Sequence, residues 1–244
     1  MGNICVRLAG VPVGIEYRVS GIKKFFREYI AEDEPLFTVR PTDAELESER
    51  AIMLSVNERE GREVYGSSDF AVERQAIFRA VANRLFAYGV ILFHGSAIAV
   101  DGEGYIFGAP SGTGKSTHTR LWREKFGERA LMINDDKPFI RIGGDGVFVY
   151  GSPWNGKHGL SSNVCVPLKA VAILKRGENR AVRVGVSELL PELLGQIHRP
   201  DSEEEMEKLL DAIVKMGDNV GFYRVWCDMS LKAAETAFEA MRKG

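Results

Sequence analysis

Nowhere in the 244-residue chain does an apolar run approach the roughly 20 residues that a membrane-spanning helix needs, so no membrane span is expected. The first residues show no basic flank followed by a long apolar core, which predicts no secretory leader. Met1-Gly2 opens like an acylation site, but Val6 stands where Ser or Thr is required. Cysteine is scarce. Cys5, Cys165 and Cys227 are odd in number and far apart, which excludes a disulfide framework and predicts a reducing cytoplasm with the three as small buried hydrophobes. Neither sign of charge dominates: 32 Lys+Arg against 34 Asp+Glu leaves a net charge of -2, without the footprint of a nucleic-acid binder. Internal repeats and low-complexity tracts are missing as well. At 45% hydrophobic and 27% charged residues, the composition is that of an ordinary globular protein, long enough for one large domain or two small ones.

Glycine, by contrast, is plentiful, and its placement is informative. The apolar run Tyr105-Ile106-Phe107 ends in Gly108-Ala109-Pro110-Ser111-Gly112-Thr113-Gly114-Lys115-Ser116-Thr117, and a helical pattern follows. From Ala109 to Ser116 this matches a phosphate-binding P-loop, except that Ala109 holds the position where the strict pattern has Gly. A polyphosphate needs many N–H donors aimed at one point. Gly112 and Gly114 let the backbone curl closely around it, and a helix starting near Lys115 turns its positive end toward the anion. Lys115 would reach the outer phosphates, and Ser116 would offer a hydroxyl to a phosphate-bound Mg²⁺.

Two further features cluster with this loop. A β-hairpin is expected from His94-Gly95-Ser96-Ala97-Ile98-Ala99-Val100, the turn at Asp101-Gly102-Glu103-Gly104 and the strand before the loop; it would carry His94 back toward the phosphates. After the loop helix, the short apolar strand Ala130-Leu131-Met132-Ile133 ends in Asn134-Asp135-Asp136-Lys137. One of Asp135 and Asp136 could hold Mg²⁺ and the other could take a proton from an attacking hydroxyl. Adjacent carboxylates repel unless a metal, a lysine or a shared proton intervenes. The irregular stretch from Gly151 to Asn163 carries Trp154, Asn155, Lys157 and His158, candidate substrate contacts, and Arg199 at an element boundary could complement a phosphate.

The remaining organisation is α/β. Residues 1–70 are expected to form a small N-terminal α/β lobe, with strands at 4–8, 11–17 and 36–40 and a helix at 22–30. An exposed acidic segment at 42–50 and weak strands at 51–56 and 63–65 complete it. Residues 71–244 would form the nucleotide-binding core. A helix from Ser68 or Asp69 to about Tyr88 would join the two. Strands are expected at 90–93, 139–142, 147–150, 168–175, 182–186 and 222–227, and helices at 187–197, 202–214 and 230–241.

His94-Gly95-Ser96, the stretch Ala109 to Ser116, and Asp135-Asp136 together resemble the core of the HPr kinase and ATP-dependent phosphoenolpyruvate carboxykinase superfamily, over roughly residues 90–200. The resemblance implies a P-loop set in a mixed sheet, with ATP and Mg²⁺ or Mn²⁺. It implies that Lys115 binds the outer phosphates, that Ser116 and the Asp135-Asp136 pair hold metal and activate the acceptor, and that His94 lies at the reacting centre. The long carboxykinase machinery for oxaloacetate and the C-terminal HPr-kinase signature are not found. The expected activity is therefore γ-phosphoryl transfer to a serine-like hydroxyl on a small molecule, peptide or protein, in the cytoplasm and without nucleic acid or membrane. The alternatives are a carboxykinase-like phosphotransferase acting on a keto or enol acid, and a non-catalytic nucleotide-sensing module for a biosynthetic peptide.

Overall fold

The structure is a computed structural model that describes residues 1–60, 68–200 and 202–243. It divides into two compact units, Met1–Tyr88 and Gly89–Gly244.

In the first unit, β1 (Gly2–Leu8), β2 (Val11–Tyr17) and β3 (Phe37–Val39) form a three-stranded sheet, β1 and β2 antiparallel and β2 and β3 parallel. The expected helix at 22–30 is only the single turn α1 (Gly21–Phe25), after which the backbone tightens toward Tyr29. Residues 43–60 are not an exposed segment followed by a strand; they form one helix, α2 (Asp43–Glu60). A capping box starts it: the Thr42 hydroxyl accepts from the Glu45 N–H, and the Glu45 carboxylate accepts from the Thr42 N–H at 2.7 Å. Helix α3 (Asp69–Leu85) lies against α2, where the buried Glu49 carboxylate accepts two bonds from Arg79. Buried Glu73 of α3 accepts the N–H groups of Arg18 and Val19 after β2. These ties place α3 in the first unit, so the division falls after Tyr88 and not at residue 70. The strand expected at 63–65 lies outside the described residues.

The second unit is built on a nine-stranded mixed sheet. Its strands are β4 (Val90–Leu92), β5 (Ser96–Val100), β6 (Glu103–Gly108), β7 (Ala130–Asn134), β8 (Phe139–Gly143), β9 (Gly146–Tyr150), β10 (Cys165–Arg176), β11 (Arg180–Arg183) and β12 (Gly221–Cys227). One path runs β4-β8-β9-β10-β6-β5-β7, with β12 on β10 and β11 on β12. The near-continuous apolar run of β10 reflects its position: it pairs with β9 at its start and lies parallel between β6 and β12 further on. The β5–β6 hairpin forms as expected, and β5 also pairs antiparallel with β7. Strands β6 and β7 therefore run the same way and end at one edge of the sheet. Helices α4 (Lys115–Phe126) and α7 (Leu231–Met241) pack on one face over a core that includes Tyr105, Phe107, Trp122 and Phe238. Helices α5 (Val186–Leu194) and α6 (Glu203–Met216) complete the unit, so residues 184–185 lead into a helix and not a strand. The cysteines are unpaired, as expected; Cys165, however, is exposed at the start of β10, and Cys5 in the middle of β1 and Cys227 at the end of β12 are only half-buried.

Candidate functional site

Strand β6 ends at Gly108, residues 109–114 form a loop, and α4 begins at Lys115. Gly112 and Gly114 adopt φ of 77° and 123°, backbone that side chains strongly disfavour. Ala109 is buried in the core beneath the loop, which explains an apolar residue at that position. The Lys115 ammonium turns back over the loop and donates to the Ala109 carbonyl at 2.8 Å. Burial pushes its pKa below the ordinary lysine value, and the Asp136 carboxylate pulls it partly back. Ser111 is exposed, Thr113, Ser116 and Thr117 are half-buried, and their hydroxyls have no protein partner among the described residues. The Arg176 guanidinium, from the end of β10, donates to the Gly112 carbonyl at 2.6 Å. One turn into α4, His118 is buried and accepts from the Trp122 indole at 3.0 Å. Burial lowers its pKa to about 4, so it stands neutral under the loop.

The acidic pair ends β7 at the same sheet edge. Asn134 is fully buried and sets its shape: its side-chain oxygen accepts from the N–H groups of Asp136 and Lys137, and its amide donates to the Ser152 and Trp154 carbonyls. The two carboxylates differ. Asp136 pairs with Lys137 at 2.9 Å and with His94 Nε2 at 3.2 Å. Burial alone would raise its pKa, but the bonds from His94 and Lys137 outweigh it and hold the carboxyl well below the usual range. Asp135 is buried; its Oδ1 accepts from the Gly156 N–H at 2.6 Å, and its Oδ2 is buried with no partner among the described residues. The stretch before β5 is stitched to this pair: Gly95 N–H donates to the Asp136 carbonyl and the Ser96 hydroxyl to the Asp135 carbonyl. The hairpin thus brings His94 to Asp136, while Asp136 also reaches Lys115 through its field.

The stretch between β9 and β10 folds back along β7, with Ser162 N–H bonded to the Ile133 carbonyl. It does not present its polar residues uniformly. Trp154 is buried edge-on to Phe139, part of the core. Asn155 is exposed and donates to Ser161 at 3.2 Å. Lys157 and His158 are exposed without protein partners among the described residues. Gly156 sits so close over the pair that a Cβ would lie 3.2 Å from Asp135 Oδ2 and 3.3 Å from Asp136 Cβ. Arg199 is exposed and makes no ion pair among the described residues, just beyond a segment in which Ile197 bridges Phe93 and the Gln196 carbonyl accepts from His94 N–H at 2.6 Å. Gly156, Lys137, Gln196 and Arg176 are neighbours of the site that sequence reasoning did not single out. Only Lys137, adjacent to the acids, carried a signal.

This edge can neutralise an anion, through Lys115, the positive end of α4 and the loop amides, beside a histidine held by a carboxylate. No protein-family model matches the chain, and no curated protein matches it. Among solved structures, the Hpr(Ser) kinase/phosphatase from Coxiella burnetii matches over 51% of this chain and 87% of its own, at 10% identity and a TM-score of 0.30. That is a distant likeness at most.

Proposed function

We propose that the chain is a kinase that transfers the γ-phosphoryl group of ATP to a serine-like hydroxyl on a small molecule, peptide or protein. The observation that carries the reading is the juxtaposition at one sheet edge of the Lys115 loop with the His94–Asp136 pair. Residues 109–116 act as a P-loop: the amides of the loop and first turn of α4, with Lys115, bind the donor's phosphates. Phosphoryl transfer asks chiefly for positioning and for charge placed where the transferred oxygens will be, and this edge supplies both.

A divalent cation suits the residues present. Asp135 Oδ2 and the Ser116 hydroxyl, both without a protein partner among the described residues, are hard oxygen donors, and Mg²⁺ is commonly held by one or two protein oxygens together with phosphates. Ser116 and Asp135 would hold it, with Asp136 alongside, and when bound it would offset phosphate charge. Among the described residues no group of three acid, histidine or cysteine side chains could hold a metal ion by itself.

Asp136 is too weakly basic, as paired here, to be the better proton acceptor. With Nε2–H donating to Asp136, His94 keeps a lone pair on Nδ1, and that nitrogen takes the acceptor's proton. Lys157 and His158 line the approach for the acceptor. No helix among the described residues is long and apolar enough to cross a membrane, and a cytoplasmic location accompanies the reading. The test is ³¹P NMR of the protein with Mg-ATP and pooled serine, hydroxylated metabolites, keto acids and HPr. A phosphoester signal that grows with ADP supports a hydroxyl kinase. Turnover only with a keto acid, or ATP binding without turnover in every pool, would overturn it.

A further inference from the structure

A crevice of about 530 Å³ opens beside the glycine loop. Its walls are loop residues 110–113, residues 173–176 at the end of β10, and Glu192 of α5. Strands β6 and β10 are parallel neighbours, so the crevice lies outside the carboxyl ends of two adjacent parallel strands, the place where open α/β sheets accept ligands. Its volume falls within the ~300–1,000 Å³ of small-molecule sites. The loop that offers its amides near Lys115 is also a wall of the crevice, and Arg176 ties that wall to β10.

The lining has the chemistry of a nucleoside site. Leu174, on the opposite face of β10, belongs to the core with Trp122, while Pro110 and Ile173 give apolar lining for a base. Glu192 is the acceptor above it: its Oε1 takes one bond from Arg224 at 3.2 Å, and its other oxygen has no protein partner among the described residues. Ribose hydroxyls or a base amino group can donate to that oxygen. Lys175 and Arg176 make a cationic rim on the side of the loop.

We infer that this crevice holds the nucleoside half of the phosphate donor and that Glu192 is the residue that reads it. The inference rests on the phosphate-loop reading above, and the experiment separates the two. Calorimetric titration of the full chain compares Mg-ATP with Mg-tripolyphosphate, which carries the phosphates without the nucleoside. ATP is expected to bind at least tenfold more tightly, and Glu192→Ala to remove most of that advantage while leaving tripolyphosphate affinity unchanged. If neither ligand binds, the phosphate reading falls and this inference with it. If both bind equally, or if Glu192→Ala weakens both alike, this inference is overturned and the phosphate reading stands. Because Glu192→Ala also releases Arg224, photolabelling of the unaltered protein with 8-azido-ATP gives an independent answer. Adducts are expected in peptides containing 173–176 or Glu192, and labelling confined to other peptides would overturn the assignment.

Discussion

Two loops meet at the candidate site, and they spend their polar groups differently. The glycine loop before α4 leaves the hydroxyls of Ser111, Thr113 and Ser116 without protein partners among the described residues and is tied mainly by Lys115 and Arg176. The stretch between β9 and β10 is bound inward: Ser152 is fully buried and donates to the Lys137 carbonyl, Asn134 holds two of its carbonyls, and Gly156 is bonded to Asp135. Both are rich in glycine and polar residues. On the proposed reading, the glycine loop keeps its donors for phosphates, whereas the second loop spends its inner polar groups on protein as scaffold and leaves Lys157 and His158 outward for an acceptor.

The comparison breaks most sharply at Lys115. Lys115→Ala is expected to cut phosphoryl transfer, followed by ADP release, at least about a hundredfold, while the single Ala109 carbonyl it leaves unpaired should cost only about 1 kcal/mol of stability. Asn134→Ala should do the reverse. It leaves several buried backbone groups unpaired, and about 3 kcal/mol of stability should be lost by urea denaturation.

The support beneath the glycine loop is pH-sensitive. The folded-state pKa of His118 lies below its unfolded value, near 4 against 6.5, so the unfolded chain binds its proton first. Stability from this residue is complete above about pH 6.5 and declines as pH falls toward 4, by on the order of 3 kcal/mol. His118→Gln should flatten urea midpoints across that window; an unchanged slope would show that His118 is not buried neutral. Gly156→Ala sharpens the comparison at its narrowest point, because its Cβ presses on the acidic pair. Activity should fall about tenfold, with a stability cost near 1 kcal/mol. The smallest effect is expected at Lys157, whose replacement by alanine should leave the melting temperature within about 1 °C and raise only the KM for the acceptor.

The strand, glycine turn and helix around Lys115 were legible because their residue types and their spacing agree. The hairpin that returns His94 was legible because its turn lies at Asp101-Gly102, where Asp101 takes φ of 54° and Gly102 φ of 82°. Helix α2 was not, because its face is largely charged and its packing is a Glu49–Arg79 ion pair rather than an apolar stripe. The Thr42–Glu45 capping box was its readable sign. Gln196 comes beside His94 through pairing across about a hundred residues, which no local pattern encodes. Trp154 looked like a ligand contact in a polar stretch, but Phe139 supplies its partner from another strand. Which carboxylate would be paired depended on Lys137 and His94 converging on Asp136, a property of the fold rather than of the dipeptide.

The three-way pairing of β10 also dictates an order of assembly. Its partners β6, β9 and β12 lie both upstream and downstream, so local turns alone cannot complete this part of the sheet. During synthesis, β6 and the glycine loop leave the ribosome some sixty residues before β10 arrives, with an unpaired apolar edge and with Gly112 lacking its tie to Arg176. A ribosome-bound chain truncated before Cys165 should therefore recruit chaperones more strongly than one that extends past Cys227, and the capacity to bind anions should emerge late in translation.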